Sequence, residues 1–211
     1  MRDVPSAPAP LLASPPAPRL RAFGPGDAAA VARLAGDPAI GDAMISVPHP
    51  LDPGDAAALL AGYAAEEARG AARHRAVCWA APDAALDGTA PAADVVVGGV
   101  SLRHVDAEHR QAELSFWVGR PWWGRGLAPA AAAAALRLAF DDRPGGLGLH
   151  RVEAYHMVRN AGSERVLARL GFRREGVLRQ RVWKRGRPED VVAYALLRDE
   201  YLADARPPDG A

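Results

Sequence analysis

Two glycines flank an arginine where an apolar run meets an alanine-rich stretch: WVGRPWWGRGLAPAA, residues 117 to 131. A strand that ends in such a loop and feeds a helix makes an anion site. The first N–H groups of a helix have no partner of their own, and the helix dipole places partial positive charge there. Glycine lets a ligand come close to the main chain. Gly124, Arg125, Gly126, Leu127 and Ala128 would present these N–H groups to phosphate oxygens, with Arg120 and Arg125 adding charge. Pro129 suits the first helical turn, where its missing N–H is not needed. The spacing is neither a dinucleotide fingerprint nor a P-loop, since no Gly-Lys-Ser/Thr follows. A plain strand-to-helix connection would use the same residues, so the loop does not decide by itself.

Three further residues could take part in chemistry. Glu113 lies on the strand leading to the loop and by alternation shares a face with Ser115 and Trp117. A carboxylate there can accept a proton or simply pair with an arginine. Asn160 opens the segment NAGSERVLARLG, where Asn is a favoured N-cap. Ser163 falls in the same first turn, with Arg165 beyond it. The six histidines are scattered, and no metal or nucleophile set is visible. The single cysteine, Cys78, excludes an internal disulfide framework.

These residues need a scaffold. A short strand over RLRAF (19–23) leads to a helix with Asp27 as candidate cap and Gly36 as stop. ISVPHPLDPGD reads as a proline-broken loop. Asp52 and Asp55 are candidate caps of a second helix carrying Leu59, Leu60 and Tyr63 on one side. Strands follow over HRAVCWAA, DVVVGGVSLRHV and QAELSFWVG, the last two joined at DAEHR. Then come the alanine-rich helix, the strand LHRVEAYHM and the helix after Asn160, with Val166, Leu167 and Leu170 inward and Gly171 as stop. The strands GVLRQRVW and DVVAYALL close the order β-α-α-β-β-β-α-β-α-β-β. This is one α+β domain with a central mixed sheet.

Composition bounds the rest. The chain has 211 residues and a net charge of +1, enough for one domain with a full core and too balanced to point at nucleic acid. No apolar run is long enough to span a bilayer. Residues 1–18 read as a disordered Pro/Ala-rich lead-in, 19–202 as the domain, and 203–211 as a disordered tail. Arginines and one lysine crowd residues 173 to 187, as on the solvated edge of a hairpin.

The sequence resembles the GNAT N-acetyltransferase superfamily, in its RimJ/RimL-like branch. AELSFWVGRPWWGRGLAPAA, LGLHRVEAYHMVRNAGSERVLARLGFRREGVL and GRPEDVVAYALLRDEY carry the resemblance, with LRAFGPGDAAAVARLAGDPAI contributing more loosely. The resemblance implies a mostly antiparallel sheet flanked by helices, with strands splayed into an acetyl-CoA slot. It implies that main-chain groups near Trp117 and Val118 pair with the pantetheine arm. Residues Gly124 to Ala128 would hold the pyrophosphate, and Arg165 would reach a CoA phosphate. Glu113 would serve as base, directly or through water. Asn160 would stand near the pantetheine or the sulfur, and Ser163 would serve as acid. Pro121 replaces the Gln or Arg of the broad family pattern. Leu167 stands where many members carry an acidic Tyr.

The implied function is acetyl transfer from acetyl-CoA to a primary amine, by direct transfer in a ternary complex. The acceptor would be a protein N-terminus or a small amine. No metal or membrane is implied, the compartment would be the cytoplasm, and the chain would act as monomer or homodimer. A non-catalytic acyl-CoA-binding or ribosome-interacting module is the alternative.

Overall fold

Strand β1 (Arg19–Arg21) starts one edge of a seven-stranded sheet. The other strands are β2 (Arg73–Trp79), β3 (Val95–Asp106), β4 (Gln111–Val118), β5 (Arg151–Met157), β6 (Arg173–Lys184) and β7 (Arg187–Leu197). Their order is β1-β2-β3-β4-β5-β7-β6. Every neighbouring pair is antiparallel except β4 and β5. The computed structural model describes residues 18–45, 47, 49–79 and 95–204. Most of the lead-in, the turn region after β2 and residues 205–211 of the tail lie outside the described residues.

Helices cover both faces. On one face lie α1 (Ala28–Ala35), α2 (Pro38–Ala43) and α3 (Pro53–Ala68). Val31, Leu34, Ile40, Ala56 and Leu60 form a buried cluster there with Trp117 of β4. On the other face lie α4 (Leu127–Phe140) and α5 (Ala161–Arg169). Ala131, Ala132, Ala135 and Ala139 make a flat buried stripe on α4, which lets it sit close against Ala112, Leu114 and Val152. Leu167 of α5 joins the same cluster. The terminal α6 (Arg198–Asp204) is pinned by Tyr201, whose ring lies 4.9 Å from that of Phe140.

The caps follow the sequence reading in part. Asp52 accepts from the Asp55 N–H at 2.8 Å, and Asp55 returns the bond to the Asp52 N–H. This reciprocal cap fixes where α3 begins. Gly36 ends α1, its N–H bonded to the Ala32 carbonyl at 2.9 Å. Asp27 behaves differently from the expected cap. It turns back to the Gly24 N–H at 2.8 Å and takes both guanidinium nitrogens of Arg21 at 2.7 Å.

Two short helices were not expected. Six residues form α2 between the stop of α1 and the proline-broken loop, held by buried Ile40 and by the Asp37 side chain on the Ala39 N–H. α6 runs through Asp204, two residues into the stretch read as tail. The basic hairpin β6–β7 is an outer edge, and its tip docks. Lys184 Nζ donates to the Met44 carbonyl at 2.7 Å, and Arg185 reaches Pro38 O at 3.2 Å. Trp183 stays 73% exposed on that hairpin.

Candidate active site

β4 and β5 pair only from Gln111↔Arg151 to Leu114↔Ala154. From Ser115 onward β4 keeps its bonds to β3 and loses β5, so the two strands splay. The Gly119 N–H bonds to Val97 O at 2.8 Å, which makes 97/119 a hydrogen-bonded antiparallel pair. By the alternation of such pairs, the main-chain groups of Phe116 and Val118 face the open side, and those of Trp117 face β3. Val118 thus turns its main chain to the open side, while Gly99 takes that of Trp117, against the expectation that the Trp117 main chain would be free to pair with a ligand arm. What Trp117 offers instead is its indole, packed so closely that a Cβ on Gly99 would stand 2.7 Å from Nε1.

The gap opens into a cleft of about 630 Å³. Two helix N-termini converge on it: Gly126, Leu127 and Ala128 from α4, and Ala161, Gly162 and Ser163 from α5. Gly124 and Gly126 have φ of +75° and +73°, the left-handed region, and Gly126 is the residue that starts α4. A Cβ would strain both positions. Val118, Trp117, Gly124, Asn160 and Arg165 also line the cleft. Arg120 and Arg125 do not. The Arg125 guanidinium lies over the Trp122 ring, 5.2 Å from its centroid, and Arg120 is exposed on a 3₁₀ turn. The positive φ of Gly126 turns the chain between Arg125 and the helix, which leaves the stack on Trp122 as the arginine's contact.

Glu113 sits past the inner end of the cleft, in a cavity of about 40 Å³ lined also by Ser115, Tyr155, His156, Asn160 and Ser163. Its nearest cation is Arg103 across the β3–β4 ladder at 4.0 Å, a loose pair that leaves the carboxylate available. Asn160 caps α5 through the Ser163 N–H at 3.1 Å, and its amide donates to Ala43 O at 3.2 Å. One side chain thus sets the start of α5 and ties α2 to it. A second cavity, of about 160 Å³, lies beside α3 and is lined by Tyr63, Glu66, Ser101, Arg103, Ser115 and Trp117 among others. Met44 borders the cleft and both cavities.

A family description, Acetyltransferase (GNAT) domain, matches residues 19–173. The chain belongs to the GNAT acetyltransferase family. The [ribosomal protein uS5]-alanine N-acetyltransferase of Escherichia coli is 33% identical over 88 residues, 42% of this chain and 43% of that one. The chain spans about half the length of the curated relatives it matches. Among solved structures, Vibrio cholerae spermidine N-acetyltransferase, with CoA and spermine, superposes with a TM-score of 0.71 at 24% identity, covering 88% of this chain and 98% of that one. Mycobacterium smegmatis RimJ, with CoA-disulfide, gives 0.70 at 24% identity, covering 89% and 88%.

Several residues of this GNAT domain's site escape a reading of the sequence. Tyr155 donates to Glu153 at 2.7 Å. Burial, the bond to Glu153 and the charges of Glu153 and Glu113 push its hydroxyl up to about 12. His156 is buried, its Nδ1 bonded to the Met157 carbonyl at 2.9 Å and its Nε2 without a partner among the described residues. Arg159 and Arg169 line the cleft, and Arg159 also pairs with Asp42 and Glu189. Their signal would have been period-2 alternation along β5 and helical spacing from Arg165. Neither says that β5 parts from β4. No helix among the described residues is long and apolar enough to cross a membrane.

Proposed function

We propose that the chain transfers acetyl from acetyl-CoA to a primary amine within a ternary complex. The observation that carries this reading is the splay after Leu114 and Ala154, which joins a cleft with two helix N-termini to the cavity of Glu113. Free N–H groups at Gly126, Leu127 and Ala128 would hold the pyrophosphate, since helix starts favour anions. Gly124 would let the chain approach it closely. Asn160 and the α5 start would flank the arm, Val118 would pair with it, and Arg165 would meet an outer phosphate. Arg120 and Arg125 would act only by their charge at a distance.

Amide formation needs a neutral amine, a polarised thioester and a proton for the departing thiolate. Glu113 would accept a proton, directly or through water. Ser163 would supply one to sulfur, and its place on both the cleft and the Glu113 cavity supports that role. The acceptor is an amine of a protein N-terminus or a small molecule, as the names of the uS5-alanine and spermidine relatives suggest. The compartment is the cytoplasm, where such acceptors occur. Thiol release from acetyl-CoA, measured across peptide and polyamine panels, tests the reading. Release with no amine, and no thermal shift with acetyl-CoA, would defeat it.

A further inference from the structure

Three polar side chains outside the transfer machinery form a continuous line on the α3 face. Ser101 of β3 and His74 of β2 are register partners, and Ser101 is also the register partner of Ser115. His74 Nδ1 lies 2.8 Å from Ser101 Oγ, and His74 Nε2 lies 2.9 Å from Glu66 Oε2 on α3. His74 is 1% exposed. Its ring stacks on Tyr63 at 3.8 Å and 9°, and the His74 main-chain N–H donates to Glu67 Oε1 at 2.6 Å. The ring therefore has one position.

The partners fix where the protons are. An ionised carboxylate only accepts, so Nε2 carries the hydrogen and donates to Glu66. Nδ1 is then the acceptor, and the Ser101 hydroxyl donates to it. Ser101 Oγ keeps its lone pairs for a donor arriving from the 160 Å³ cavity, which Ser101 lines. Every bond of the line points the same way, from the cavity to Glu66, whose side chain is 43% exposed.

An amine reaches such a site as an ammonium ion. Converting R–NH₃⁺ and a thioester to an amide and a thiol removes two protons from nitrogen. One ends on sulfur, and the other must leave for solvent before nitrogen can attack. We propose that Ser101, His74 and Glu66 form a proton path that carries this first proton from an ammonium group in the 160 Å³ cavity to water. The ammonium gives its proton to Ser101 Oγ while Ser101 gives its own to Nδ1. Nε2 passes its proton to Glu66, and Glu66 releases one to solvent. Once the product has left, Nε2 takes a proton back from Glu66 and the Nδ1 proton returns through Ser101 to water in the cavity, which restores the Nε2–H form with one net proton given to solvent. No bond to carbon changes. The second proton belongs to Glu113 and Ser163. This path rests on the amine-acetylation reading above.

The surroundings suit a path more than a resting cation. Burial pushes the His74 imidazole below its usual value, against the pull of Glu66 and Glu67 from α3 and with the help of Arg103 from β3. Arg75 of β2 is bonded to Glu67 at 2.7 Å and so offsets part of that acidic charge. His74 is thus neutral at neutral pH and ready to receive. Ser115 and Met44 line both this cavity and that of Glu113, which brings the deprotonated nitrogen next to the transfer site.

The test begins with wild-type thiol release from acetyl-CoA, using an alanine-terminated peptide and spermidine. His74→Gln keeps hydrogen bonds toward Ser101 and Glu66 but carries no proton. It should lower kcat/KM at pH 7 by about 10² or more, the usual scale of acid–base contributions. The deficit should close at higher pH, above the amine pKa, about 8 for a peptide α-amino group. KM for acetyl-CoA and Tm should stay put. Ser101→Ala should show the same pH-dependent loss, and Ser101→Thr should restore activity. Glu66→Gln repeats the test from the exposed end if His74→Gln does not fold. A loss equal at every pH, or no loss in Ser101→Ala, overturns the path. If wild type acetylates neither probe, the acceptor reading fails, and nitrogen NMR of His74 judges the path alone. An Nε2–H tautomer whose Nδ1 signal moves in Ser101→Ala supports it, and an Nδ1–H tautomer overturns it.

Discussion

The indole Nε1 of Trp123 donates to the main-chain oxygen of Val118 at 2.6 Å. Val118 is the last residue of β4, and its carbonyl faces the open side of the splay. The acceptor that a ligand arm would use there is thus already closed by a side chain of the loop. Trp123 is 51% exposed and lines the cleft, so its ring has room to leave.

A ligand donor that takes the Val118 oxygen competes with this bond. Trp123→Phe keeps the ring and removes the donor. Acetyl-CoA affinity should rise about fivefold, the worth of one net hydrogen bond of about 1 kcal/mol. Titration calorimetry measures it. A tenfold loss instead would make the indole part of the binding surface.

The helix start at Gly126 makes a sharper demand. Gly126→Val puts a branched side chain at a φ of +73°, a conformation that costs an L-residue about 1–2 kcal/mol. Acetyl-CoA at about 100 times its Kd would stabilise the parent by about 2.7 kcal/mol. The variant should melt a few degrees lower, and its shift with acetyl-CoA should vanish. A full shift in the variant would place the pyrophosphate elsewhere.

Glu113→Gln separates catalysis from binding. Turnover at neutral pH should fall by about 10², while acetyl-CoA still shifts Tm, because the cradle is main chain. The loss should persist as pH rises, because a neutral amine still carries the second proton that Glu113 accepts, which sets it apart from the loss in His74→Gln. Ser163→Ala should slow turnover less, since water can protonate a thiolate. Full activity in Glu113→Gln with a confirmed acceptor would remove Glu113 from the mechanism.

Acid stability depends on Asp27. Hydrogen bonds from Arg21, with the Gly24 N–H, hold its carboxyl below 3.8 against the opposing effect of burial. A depressed folded value means stability that is complete above the unfolded value and lost as pH falls through the folded one. Asp27→Asn should cost about 1–3 kcal/mol at neutral pH. Its urea stability should also change less than the parent's below about pH 4, near the ordinary Asp value. An unchanged acid limb would assign that stability to another carboxylate.

Much of this molecule is written locally. Alternation along QAELSFWV puts Glu113, Ser115 and Trp117 on one face because neighbouring strand residues must point opposite ways. The Gly124–Gly126 loop before Pro129, the Asp52–Asp55 reciprocal cap and the Asn160 cap are each settled within a few residues of chain. Their signals survive in the sequence for that reason.

What the sequence does not hold is the pairing of distant segments. α2 is too short to stand without Ile40 in the core and Asn160, far along the chain, on Ala43 O. α6 depends on Tyr201 meeting Phe140. Trp117 and Val118 look equivalent as neighbours in a strand, and only the β3 register decides which one turns its main chain to the cleft. His74, Ser101 and Glu66 come from three elements whose spacing carries no motif. Strand register and the docking of α3 align their donors and acceptors, and both are set by burial of apolar surface across the whole sheet, a quantity that no short stretch of sequence encodes.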